Sequence, residues 1–148
     1  MSIILVFSGV LLCLLTPSSA ADRNLMIPGE SLGPGQSLTA GNTTLTMTES
    51  CNLEMIHNGN KIWELHAARE STADCLLYMQ LRGVLALYAK TMNRLLWESN
   101  QAKGWTGGLG FRNYIFVLRP DGVATVLGNA TLLDDNTLSG VTVWSTAA

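Results

Sequence analysis

A chain of 148 residues with 9 basic and 11 acidic side chains carries a formal charge of −2, and this balance lacks the basic patch that a nucleic-acid partner requires. The length suits one ordinary domain with a buried core. With only 2 histidines, an acid–base triad has little to draw on.

The opening MSIILVFSGVLLCLLTPSSA has no charged side chain, an apolar run from Ile3 to Leu15, and a small-residue end. That pattern predicts a secretory signal peptide over 1–20, cleaved after Ala20 or Ala21 and too short an apolar run for a membrane span. A single domain over 21–148, about 127 residues, is expected to remain. The expected destination is outside the cell, with the vacuole as the alternative; an ending at WSTAA, with little room for a targeting extension, favours the former.

Cys13 leaves with the signal, so Cys51 and Cys75 remain as an even pair in an oxidising compartment. One disulfide is the reading, two free buried thiols the alternative. Asn42 in NTT and Asn129 in NAT are N-glycosylation acceptors, and the Gly-, Asp- and Asn-rich surroundings of Asn129 predict an exposed loop.

Along the chain no long amphipathic helix develops, while LTMTESCNLEMI and YIFVLRPDGVATVL read as short strands, so the chain is all-β. Asn58-Gly59 predicts a type I′ hairpin, both residues tolerating positive φ. Arg69, Glu70 and Asp74 belong to a polar, solvated connection. An internal repeat appears when Trp63, Trp97 and Trp144 are aligned with the strands before them: LTMTESCNLEMIHNGNKIW, LYMQLRGVLALYAKTMNRLLW and FVLRPDGVATVLGNATLLDDNTLSGVTVW. The tryptophans are 34 and then 47 residues apart, so the third unit holds an insertion around Gly128 to Gly140. Three units that cannot each bury an apolar face predict a closed threefold arrangement with the indoles at its centre.

Period-two reading puts Leu81, Gly83, Leu85 and Leu87 on one face of the second unit, and Cys51, Leu53 and Met55 on one face of the first; these are the core faces. The opposite faces carry Thr48, Ser50, Asn52, Glu54 and Ile56, then Gln80, Arg82, Val84, Ala86 and Tyr88, then Arg119, Asp121, Val123, Thr125 and Leu127. Val84 and Ala86 make the second of these faces drier than a binding face should be, which predicts a covering partner.

His57 and His66, with Glu64 nearby, lack metal-ligand spacing and read as turn or surface residues, so no metal and no cofactor is expected. No G-x-S-x-G elbow is present, and an enzyme is not expected. GWTGGLG, from Gly104 to Gly110, lacks the Lys-Ser/Thr ending of a phosphate loop and reads as a connection between units two and three. Trp105 within it is either packed or free to stack on a sugar ring.

On RNLMIPGESLGPGQSLTAGNTTLTM, CNLEMIHNGNKIW and CLLYMQLRGVLALYAKTMNRLLWESN the chain resembles the monocot bulb-type mannose-binding lectins, the snowdrop- and garlic-lectin family that includes the curculin-like proteins. The likeness covers essentially the whole mature chain, and the Cys51 to Cys75 spacing fits the family's bridge. It implies a β-prism II fold of three four-stranded antiparallel sheets with pseudo-threefold symmetry, and a homo- or heterodimer formed by exchange of C-terminal strands. It also implies mannose or mannose-containing glycans as partners, bound at Q-x-D-x-N-x-V-x-Y; the alternative is a homologue that binds no sugar and acts through protein contacts as a plant defence, storage or taste-active subunit. Alternate residues of that motif let four polar groups converge on sugar hydroxyls while Val packs on a ring carbon.

No copy of the motif is whole. The first keeps only Asn52, the second Gln80 and Tyr88, and the third Asp121. A neutral hydrogen bond contributes about 1 kcal/mol net, and a millimolar monosaccharide site totals about 4 kcal/mol. Losing two of four polar partners, with Arg82 in place of an acceptor, therefore removes most of such a site. Arg82 suits carboxylate or sulfate oxygens instead, which an acidic sugar would offer.

Overall fold

The computed structural model describes residues 23–66, 74–90, 93–101, 105 and 110–147. The signal peptide expected over 1–20 lies outside them, as do Arg69, Glu70 and most of GWTGGLG.

Among the described residues, twelve strands form three four-stranded antiparallel sheets. β3 (Ser37–Ala40), β4 (Thr43–Met47), β5 (Leu53–His57) and β6 (Asn60–Leu65) make the first sheet. The second runs β2 (Ser31–Leu32), β7 (Cys75–Met79), β8 (Leu85–Ala89), β9 (Arg94–Glu98). The third runs β1 (Leu25–Met26), β10 (Ile115–Leu118), β11 (Ala124–Leu132), β12 (Leu138–Ser145). Two sheets thus take their first strand from the N-terminal stretch, which ties the repeats together.

Alternation drives each sheet inward. β4 and β7 both bury every second residue, and Leu45, Met47, Leu53, Met55, Leu77, Met79, Leu85, Leu87, Phe116 and Val126 share one core. Trp144 sits at its centre, with its ring centroid 6.3 Å from Trp63 and 5.5 Å from Trp97, both in edge-on geometry. The threefold order extends to the backbone: Trp63, Trp97 and Trp144 lie opposite Met55, Leu87 and Val126, and in each sheet a bulge follows at once. A bulge bends its strand and increases the local twist.

Cys51 and Cys75 form a disulfide with Cα atoms 5.5 Å apart, fastening the first sheet to the start of the second. Asn58 and Gly59 have φ of 50° and 81°, as the type I′ turn demands. The insertion around Gly128 to Gly140 is an ordered extension of the β11–β12 hairpin, paired at Thr131↔Ser139 and Leu132↔Leu138. Asn129 is therefore not in a loop, as its neighbours predict, but within β11, where a bulge leaves it exposed. Asn42 is exposed at the β3–β4 hairpin tip.

Two expectations about the second unit need correction. Leu81 is 81% exposed rather than in the core, because β7 ends at Met79 and residues 80–83 are a turn in which alternation does not run. Val84 and Ala86 need no partner to cover them, since both are buried within the chain at 1% and 0% exposure.

Candidate functional site

Each outer face carries the same backbone device. A turn opens at Thr48, Gln80 or Arg119, whose N–H donates to the carbonyl of Asn52, Val84 or Val123 at 2.8, 2.9 and 2.8 Å. The residue before that carbonyl has positive φ in every copy: Cys51, Gly83 and Gly122. The first three motif positions therefore sit on a tight turn, and only the later ones on a strand. In the second copy Gly83 is required twice over, because its φ is +83° and a Cβ there would overlap the Tyr114 ring.

The second copy brings Gln80 and Tyr88 together, Gln80 Nε2 donating to the Tyr88 hydroxyl at 3.2 Å. Arg82 closes the arrangement: its Nε donates to Gln80 Oε1 at 2.9 Å, and its Nη2 lies 3.8 Å from Glu98 Oε2. Both polar ends of Gln80 are thus engaged inside the protein.

In the first copy Asn52 Nδ2 donates to Glu64 Oε2 at 2.9 Å and to Glu54 Oε1 at 3.3 Å. Lys61 Nζ is 3.0 Å and His66 Nε2 2.8 Å from Glu64. The hydrogen bond from Lys61, then that from Asn52, holds the Glu64 carboxyl below the usual range, and the same contact raises Lys61. His57 is elsewhere, its Nδ1 sharing a hydrogen bond with the buried Thr43 hydroxyl at 2.8 Å.

In the third copy Asp121 is ion-paired with Arg119. Beside it a cavity of about 690 Å³ opens between Val117, Thr125, Leu127 and the extended hairpin at Asn136 to Thr142. Thr125 is buried there, and its hydroxyl has no hydrogen-bond partner.

Sequence reading missed Glu98, and the role of Glu64, because strand pairing supplies them: Glu54↔Glu64 and Ala86↔Glu98 are register partners. The repeated Trp-Glu at 63–64 and 97–98 is the signal that could have found them. In the third unit the equivalent partner of Thr125 is Ser145.

Three sheets closed around a tryptophan core, each with a turn-and-strand motif on its outer face, define a β-prism II fold, the fold of the lectin structures this chain is similar to. Its homologues include the mannose-specific lectin of Galanthus nivalis, 33% identical over 85 residues, a match covering 57% of this chain and 53% of the relative. Curculin-2 of Molineria latifolia is 32% identical over 65 residues, covering 44% and 40%. The chain thus spans about half the length, or less, of the curated relatives it matches. In structure it resembles the snowdrop agglutinin complexed with methyl-α-D-mannoside at TM-score 0.62 and 29% identity, covering 78% of this chain and 98% of that one. It also resembles a monomeric mannose-binding lectin of Gastrodia elata at TM-score 0.64 and 26% identity, covering 85% and 98%. No protein-family model matches the chain.

Proposed function

We propose that the protein is a secreted, non-enzymatic bulb-type lectin-like protein whose own mannose-type sites are weak or lost. The observation that carries this reading is the engagement of Gln80 by Arg82 and Tyr88: a sugar hydroxyl would have to displace contacts the protein already makes. Homology to the snowdrop lectin supports carbohydrate binding as the inherited activity. The Cys51–Cys75 bridge supports an oxidising destination, extracellular or vacuolar.

Passing the mature protein over mannose-agarose and a glycan array tests the proposal. Flow-through on mannose is expected, and tight specific retention would overturn it.

A second reading is a lectin homologue that acts through protein contacts, in a homo- or heterodimer. Leu132, Leu133 and Val141, exposed at 66%, 47% and 47% on the extended β11–β12 hairpin, favour it. Retention on mannose only after mixing with an intact lectin of this kind is the outcome expected of a heteromer.

A further inference from the structure

Between the second unit and the start of the third lies a cavity of about 410 Å³, lined by Leu81, Arg82, Val84, Asn100, Trp105 and Phe111 among others. It brings together the cation at position 82 and the indole at position 105, which stand 23 residues apart in the chain. Three features suit a ligand. Trp105 Nε1, a donor, and Asn100 Oδ1, an acceptor, are both buried without a hydrogen-bond partner, a state that costs free energy unless something meets it. Leu81 stands 81% exposed on the turn held by Gly83, extending an apolar wall with Val84 and Phe111. The Arg82 side chain is 66% exposed, and its one acidic neighbour among the described residues, Glu98, is 3.8 Å away and 17% exposed.

We propose that this cavity binds a hydroxylated sugar ring bearing an anionic group, a uronate or a sulfated residue. The ring's apolar face lies against Trp105, Phe111 and Leu81, as sugar C–H faces do on aromatic walls. A ring hydroxyl both accepts and donates, matching the unpaired indole N–H and amide oxygen. The anionic group meets the Arg82 guanidinium, whose planar fork fits carboxylate or sulfate oxygens. The site shares Arg82 and Val84 with the second motif copy but uses none of that motif's Gln80 or Tyr88. Its success or failure is therefore read independently of mannose retention.

The test is calorimetric titration of the mature protein with digalacturonate, neutral digalactose, galactose 6-sulfate and sodium sulfate. At least one acidic sugar should bind about tenfold or more tighter than digalactose, and the preference should shrink with added salt. Arg82→Gln should abolish the preference, while Trp105→Leu should weaken all the sugars. Galactose 6-sulfate winning over digalacturonate, or the reverse, identifies the anion. Leu81→Ser, at a side chain already in solvent, keeps the test intact where Trp105→Leu does not fold, and should also weaken binding. Equal affinity for acidic and neutral sugars, no binding of either acidic sugar, sodium sulfate binding as tightly as the sulfated sugar, or an unchanged preference in Arg82→Gln would each overturn the proposal.

Discussion

Arg82 Nε donates to Gln80 Oε1 at 2.9 Å, so the residue that breaks the second motif copy also occupies one that survives. The substitution does more than remove an acceptor. It makes the remaining amide an internal partner, and a hydrogen bond to a charged donor is stronger than a neutral one.

Releasing that amide should favour mannose binding. Arg82→Asp with Val84→Asn is expected to give retention on mannose-agarose where the wild type flows through, with millimolar affinity worth about 4 kcal/mol. Adding Glu98→Gln should help, because the new carboxylate otherwise faces a like charge. A folded triple variant with no retention would show that the strand no longer presents the site.

Gly83 and Gly59 share positive φ but differ in surroundings. A Cβ added at Gly59 would meet nothing within 4 Å, whereas one at Gly83 meets the Tyr114 ring. Gly59→Ala should cost about 1 kcal/mol from backbone strain alone. Gly83→Ala should cost about 3 kcal/mol, since overpacking adds to strain. Urea unfolding midpoints separate the two.

The disulfide joins residues separated by 24 positions, so Cys51→Ala with Cys75→Ala should lower stability by about 3 kcal/mol in the chain-entropy account. Cys51 has φ of 67°. Replacing it by Gly rather than Ala in the same double variant should recover about 0.5 kcal/mol or more, measured by denaturant titration under matched conditions.

Trp144 is 5% exposed and touches Trp63, Trp97 and Phe116. Trp144→Ala should cost about 4 kcal/mol, more than truncating either half-buried neighbour. Thermal unfolding of the three single variants checks the ranking.

The Glu64 carboxyl is held below its usual range by Lys61 and Asn52. A depressed folded-state value means the stabilisation is present above the ordinary glutamate range and fades as pH falls through the folded value. Acidification should therefore destabilise the wild type more than Glu64→Gln, read as melting temperature across the acid limb. Lys61 is raised, so its contribution is complete below the ordinary lysine range and is lost as pH rises through the folded value.

Much of the prism was legible in the residues. Period-two burial marks the core faces at Leu53, Met55, Leu85 and Leu87, and the recurring tryptophans mark three units because each lies opposite a residue at the bulge. Leu81 escapes this reading because it falls in a turn, where backbone hydrogen bonding rather than pleating sets side-chain direction.

The identities at the motif positions, and with them the departures from the motif the chain resembles, were determined by the sequence alone. Which groups stand beside them was decided by tertiary structure: Glu64 and Glu98 arrive by strand pairing, and Asn100 and Trp105 line one cavity with Arg82 and Val84. The physical reason is range. Side-chain alternation along a strand is local and can be read from spacing, whereas cross-strand register and the packing of one unit on the next depend on contacts between residues far apart in the chain.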